Sequence, residues 1–418
     1  MNFKFNKIWI IILAIILSCK SGVESESIIR VHPDKSEVKP SYLKFYENIF
    51  SQLKKKNILL VTNPSGIGIN PEKLMQKFKE NETTIKYLLG LEHGFLGLEE
   101  DFNATPVTID TMFNVPIYHI YKLKPLEVAN MVNDVDAIIF DVQDMGMRCY
   151  TYLTVLKRIM EQIQNNHIQL IILDHANPGL ELGTLGDEVV SGFENFAGEF
   201  PLLFFTGLTI GESAVYYNSE YLSSRVNLQV VPVENYNRKM RFEKTGIPWN
   251  TPSPNLPNID TARNYMALVF LEGINVSVGR GTQAPFTYFG APWMTESEEL
   301  AEILNRESQN KYYFQPVFFK PVISKYKDKI CRGLRMTLVN IDYDPIRLGY
   351  NLTKAIKEKY RANFSWAGSG NKYMIDNLWG SEGFRKAIDA GLSYEEFRLT
   401  YQEKEETYKS RVKKYYMY

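Results

Sequence analysis

The sequence predicts an α/β protein, with a parallel sheet covered by helices on both faces and a second, smaller α/β domain after it. Two observations carry that expectation. Short apolar runs recur between Asn57 and Asp174: NILLVT, IKYLLGL, VPIYHIY, DAIIFDV and IQLIILD. Between the last two, TYLTVLKRIMEQIQNN spaces Leu153, Leu156, Ile159, Met160 and Ile163 as one helical face. Strands that are apolar along their length and alternate with helices belong to a parallel sheet buried on both sides.

The elements follow in order. Lys4 and Lys7 precede the apolar run IWIIILAIIL, which ends at Leu17. That run is too short for a spanning helix and matches a signal-peptide core. It closes as IILSC, which resembles a bacterial lipobox with Cys19 as the lipidated residue. Residues 1–18 are therefore expected to be a lipoprotein signal and 19–40 a polar tether. The first domain is expected over 41–250, with a strand at Ile58–Thr62, a loop NPSGIG, a helix near Pro71–Lys79 and a second strand running to Leu91. The second domain, 251–418, begins at the Pro-rich stretch WNTPSPNLPNIDT and alternates helical segments with strands such as GLRMTLVNI.

Composition excludes several classes. Lys plus Arg and Asp plus Glu both number 48, so the basic excess of a nucleic-acid binder is missing. No GxGxxG follows the first strand, which argues against a nucleotide. Five scattered His residues contain no HExxH pair, which argues against a zinc site. Beyond Cys19, only Cys149 and Cys331 remain, read as independent thiols.

In an open parallel sheet, ligands bind at the carboxyl ends of the strands. Three strands end there in acids: Glu92 after YLLGL, Asp141 and Asp144 in IIFDVQD, and Asp174 after IQLIIL. Structural uses exist for each alone, but three together point to one rim. The stretch continues through Gln143, Arg148 and Tyr150. A glycine-rich segment, LEGINVSVGRGT, adds Glu272, Asn275, Arg280 and Thr282, where glycines allow close approach of a ligand.

Six ordered motifs now carry a resemblance: EHGF (Glu92–Phe95), FDVQDMGMRCYTY (Phe140–Tyr152), LDHANPG (Leu173–Gly179), GLTIGE (Gly207–Glu212), WNTPSPNLP (Trp249–Pro257) and LEGINVSVGRGTQAPFTYFGAPW (Leu271–Trp293). From about Asn57 onward the chain resembles the bacterial exo-β-N-acetylmuramidase family, formerly catalogued as a domain of unknown function. The resemblance implies a Rossmann-like domain, a smaller C-terminal domain and a cleft between them, with no cofactor or metal expected. It also implies a glycoside hydrolase that releases N-acetylmuramic acid from the non-reducing ends of peptidoglycan fragments or muropeptides, a substrate that fits the cell-envelope location and the membrane anchor expected at Cys19.

Such chemistry needs an acid for the leaving oxygen and usually a second carboxylate. Glu92 is the expected acid. Asp141 and Asp144 are candidates either for the second carboxylate or for binding sugar hydroxyls, and the substrate's acetamido group is another nucleophile. Arg280 and Arg148 suit a substrate carboxylate, or else tie down nearby acids. His93, Gln143, Tyr150, Asp174, Glu212, Asn255, Glu272, Asn275 and Thr282 complete the candidate contacts, with turn, cap and core roles as their alternatives. Two motifs depart from the family pattern: His175-Ala176 replaces an Arg-Pro pair, and Phe205-Thr206 replaces a basic residue and His. The competing expectation is an envelope lipoprotein that binds glycan or muropeptide without cutting it.

Overall fold

The structure, a computed structural model, describes residues 37–66, 68, 71–94, 107–109, 114–120, 123, 125–370 and 372–418. The signal, Cys19, most of the tether and Phe95 of the EHGF motif lie outside the described residues. In chain order the first strands are β1 (Asn57–Thr62), β2 (Thr84–Gly90), β3 (Val107–Ile109), β4 (Pro116–His119), β5 (Ala137–Asp141) and β6 (Gln169–Leu173). After them come β7 (Thr184–Leu185), β8 (Phe205–Thr206) and β9 (Asn227–Val231).

Seven of these form one sheet in the order β3-β4-β2-β1-β5-β6-β9, parallel except for the β3–β4 pair. The five runs expected from sequence are all in it. The two edge strands, β3 and β9, were not foreseen. β3 is three exposed residues, and in β9 only Val231 is buried, so neither writes an apolar run. The chain winds outward from β1 to β4, then returns to β5 and continues to β9. The winding reverses between β1 and β5, where a ligand crevice forms in such sheets.

Side chains alternate across the sheet with the period of a strand. Leu59, Val61, Ile138, Phe140, Leu170 and Ile172 pack with the inner face of the helix Tyr152–Ile163. Ile58, Leu60, Ala137, Ile139 and Ile171 pack on the other side with Phe45, Phe50, Leu74 and Phe78.

The second, smaller domain is built on an antiparallel sheet, β10 (Tyr288–Ala291), β12 (Cys331–Leu338) and β11 (Tyr312–Phe319) in that order. The helix Ser297–Glu307 packs on it, and the helix Pro345–Lys359 packs on that helix in turn, started by Asp344, whose side chain accepts from the Ile346 and Arg347 N–H groups, with Pro345 next. A small hairpin, β13 (Gly368–Ser369) and β14 (Lys372–Tyr373), follows. The core is continuous between the two parts. Phe204 stacks on Phe270 at 4.8 Å, and Phe270 on Phe384 at 5.1 Å.

The segment after β5 is anchored by Arg148, which has no exposed surface. Its Nη1 donates to the carbonyls of Asp187 (2.7 Å) and Leu202 (2.9 Å), and its Nη2 to those of Leu378 (3.3 Å) and Trp379 (2.5 Å). Burial lowers its pKa to about 10, which still leaves the guanidinium charged at neutral pH. Arg148 is thus a clamp between chain segments and not a wall of the cleft, contrary to the expectation that it meets a substrate carboxylate.

Asp144 is also taken up by the backbone. Its Oδ2 accepts from Gly146 N–H at 2.7 Å, in a turn where Gly146 adopts φ 68°. A Cβ there would run into the Asn177 amide, so only glycine fits. Burial pushes the Asp144 carboxyl up to about 7.

Two outcomes follow. Arg148→Met removes the donor from four buried carbonyls, each costing about 1–3 kcal/mol when unpaired, and should destabilise the fold by at least about 3 kcal/mol in denaturant unfolding. A loss below about 1 kcal/mol would contradict the clamp. For Asp144 the folded state holds its proton more tightly than the unfolded state does. Its contribution is therefore fully present below the ordinary value near 3.8 and is lost as pH rises through about 7. Asp144→Asn should flatten the decline of stability between pH 4 and 7, measured against wild type.

Candidate active site

At the end of β2 the chain makes a tight turn, closed by Gly94 N–H on the Leu91 carbonyl at 3.0 Å. His93 and Gly94 both take left-handed backbone, φ 71° and 77°. Left-handed backbone is uncommon outside glycine, and residues held in it gather at functional sites. The turn sets Glu92 against the start of the helix after β5, where Thr151 Oγ1 donates to Glu92 Oε2 at 2.6 Å. β2 and β5 flank β1, so the contact spans the crevice of the sheet.

The Pro-rich loop closes the next side. Tyr152 OH donates to the Pro252 carbonyl at 2.6 Å and accepts from Asn63 Nδ2 at 2.7 Å. Trp249 Nε1 donates to Leu256 O at 3.0 Å. Both bonds hold the loop so that Ser253 and Asn255 face the cavity. On the far side lies the glycine-rich loop. Gly279 and Gly281 have φ 78° and 75°, and a Cβ on Gly281 would strike Ile323. Between them Arg280 pairs with Glu272, Nε to Oε1 at 2.7 Å and Nη2 to Oε2 at 3.3 Å, over the ring of Phe286 at 4.9 Å. Burial alone would lower the Arg280 pKa, but the Glu272 carboxylate outweighs it and holds the guanidinium above its usual range.

These elements enclose a cavity of about 340 Å³ lined by Glu92, His93, Tyr150, Thr151, Asn255, Tyr265, Glu272 and Arg280, among others. The volume is that of a pocket for a small ligand, roughly 300–1,000 Å³. Burial raises the Tyr150 and Tyr265 hydroxyls well above their ordinary pKa, so both stay protonated donors. Six residues expected at a site therefore share one cavity: Glu92, His93, Tyr150, Asn255, Glu272 and Arg280.

The other candidates lie elsewhere. Asp141 Oδ1 is 2.6 Å from His175 Nε2, beside a separate hollow of about 30 Å³ that Gln143 and Asp174 also line. Gln143 Nε2 donates to the carbonyls of Asp144 and Ala176, both at 2.8 Å. Asp174 accepts from Thr209 Oγ1 (2.6 Å), Tyr418 OH (2.7 Å) and Gly211 N–H (2.9 Å). Glu212 caps its own helix with Thr209 and receives Arg238 Nη2 and Met417 N–H, each at 2.6 Å. Asn275 pins the segment at Asn363 and Ser365, and Thr282 Oγ1 donates to the Gly279 carbonyl at 2.6 Å to close the loop turn. The acids of the three strand ends thus do not share one site: Glu92 lines the cavity, while Asp141 meets His175, Asp144 meets Gly146 and Asp174 meets Thr209, Gly211 and Tyr418. The two departures from the family pattern fall outside the cavity as well, since Thr206 is buried in β8 with its Oγ1 on the Leu208 carbonyl.

Sequence reasoning passed over Thr151, Tyr265 and Lys325. Lys325 is held by the carbonyls of Glu272 (2.8 Å) and Ile274 (2.6 Å), and burial brings its pKa down to about 8. Its segment, VISKYKDK, reads as an ordinary polar loop; Thr151 was legible as the residue before a helix that starts beside a strand end.

Comparison with known proteins gives a consistent result. Residues 58–260 match the model "Exo-beta-N-acetylmuramidase NamZ, N-terminal", and residues 263–418 match its C-terminal counterpart. The chain is 32% identical over 369 residues to the peptidoglycan beta-N-acetylmuramidase NamZ of Bacillus subtilis strain 168, covering 88% of each. Two solved DUF1343 family proteins from Bacteroides fragilis NCTC 9343 are similar in structure. One has a TM-score of 0.78 at 27% identity, covering 92% of this chain and 100% of its own. The other has a TM-score of 0.68 at 25% identity, covering 91% and 99%. The chain belongs to the exo-beta-N-acetylmuramidase NamZ family.

Proposed function

We propose that the chain is an exo-acting glycoside hydrolase that releases N-acetylmuramic acid from the non-reducing ends of peptidoglycan fragments, in cell-wall turnover. The observation that carries this reading is Glu92, a carboxyl lifted into the family's cleft by a strained turn and hydrogen-bonded by Thr151. In this reading Glu92 gives its proton to the glycosidic oxygen as the C1–O bond breaks.

Among the described lining residues the carboxylates are Glu92 and Glu272, and Glu272 is engaged by Arg280. The partner to the acid is then the substrate's own 2-acetamido oxygen, which attacks C1. Water opens the resulting ring and returns a proton to Glu92. Asn255 and Tyr150 lie in the cavity as donors that can orient the acetamido group. Arg280 keeps N–H groups beyond those on Glu272 and takes the lactyl carboxylate.

The anchor belongs to the same reading. Cys19, after its apolar run, is lipidated and holds the enzyme at the cell envelope, with residues 20–40 as a tether.

A form lacking residues 1–19 should hydrolyse a chromogenic β-N-acetylmuramide, with Glu92→Gln lowering kcat by at least about a hundredfold. Muropeptide binding with no release from this substrate or from the matching chromogenic β-N-acetylglucosaminide would favour the non-catalytic protein instead. Replacing the acetamido group by trifluoroacetamido should slow the reaction steeply; an unchanged rate would exclude acetamido participation.

A further inference from the structure

Glu92 also lines a second, more open cavity of about 500 Å³. Glu92, Thr151, Ala197, Met374 and Leu378 face both spaces, so the carboxyl stands where the two meet. One wall of the second cavity is the region of Asn195 and Phe196, and the opposite wall is the β13–β14 hairpin, in which Ser369 pairs with Lys372. The hairpin is fastened to the floor of the first cavity: Ala367 N–H donates to Gly273 O at 2.9 Å, beside Glu272, and Met374 N–H to Ala367 O at 2.8 Å. Gly368 holds φ 153°, and a Cβ there would collide with the Lys372 carbonyl, so the shape of the hairpin depends on that glycine.

A general acid must lie within hydrogen-bond reach of the glycosidic oxygen, at the junction of the released sugar and the part it leaves. With the terminal sugar in the more enclosed cavity, the rest of the glycan has to occupy the second one. Among the described residues lining it, Lys372 is the one cation and Glu92 the one carboxylate, and Lys372 is exposed. We infer that this second cavity is the leaving-group subsite, and that Lys372 selects fragments whose leaving part carries a carboxylate beyond its first sugar. The inference rests on the proposed role of Glu92.

Three substrates separate the contributions in wild type and Lys372→Gln: the chromogenic muramide, the disaccharide with a neutral N-acetylglucosamine leaving group, and a tetrasaccharide whose leaving part contains a second muramic carboxylate. kcat/KM for the tetrasaccharide should fall about fivefold, the worth of one exposed ion pair, with the other two unchanged. An equal fall on all three, or no change on any, overturns the assignment. Calorimetric binding of the leaving trisaccharide reads the same contact without turnover, and its affinity should drop by a similar factor. If the trisaccharide binds through Lys372 while no muramide is cleaved, the subsite stands and the hydrolase reading fails. If muramides are cleaved but trisaccharide affinity ignores Lys372, the subsite alone fails.

Discussion

One buried guanidinium holds the arrangement in place. Arg148 draws four main-chain carbonyls, from the Asp187 and Leu202 region and from the helix Met374–Trp379, onto the segment that leaves β5. Cys149, Tyr150 and Thr151, the three residues after it, form a wall of the cavity, and Leu378 forms another. A charge in a dry interior is costly unless fully hydrogen-bonded. The four carbonyls engage both terminal nitrogens, leaving Nε unpaired, and in doing so fix the spacing of the cleft. Thr151 can then meet Glu92 at 2.6 Å because its own backbone is not free to drift.

Preorganisation recurs around the cavity. Tyr152 ties the Pro-rich loop to the ends of β1 and β5, and Lys325 ties its own loop to the carbonyls of Glu272 and Ile274. Each bond is made by a residue that is not itself a reacting group. A glycosidase gains from such rigidity, since a donor set in advance loses no energy to reorganisation during the reaction. The position of Glu92 between two cavities adds direction, with one side for the released sugar and the other for the chain it leaves.

Much of the fold was legible in the sequence, and less of the site. The five central strands write themselves as apolar runs because both faces are buried, whereas β3 and β9 are too short or too exposed to do so. Glu92, Arg280 and Asn255 were legible from strand-end and loop position. Asp174 and Glu212 were misread because their partners, Tyr418 and Met417, lie more than two hundred residues away in sequence. Arg148 and Asp144 sit in a stretch rich in charge, and no local pattern distinguishes a residue that faces a ligand from one that faces carbonyls. The His175 departure belongs to a pair with Asp141 beside a different hollow.

The central claim is that Glu92 is the acid and that the sugar it releases occupies the cavity beside Arg280. A crystal structure of Glu92→Gln with a bound muramic-acid-containing disaccharide tests it most directly. The muramic ring is expected in the 340 Å³ cavity, its lactyl carboxylate on Arg280, and the glycosidic oxygen within about 3 Å of the residue 92 side chain. A disaccharide seated beside Asp141 and His175 instead, with its glycosidic oxygen remote from residue 92, would contradict it.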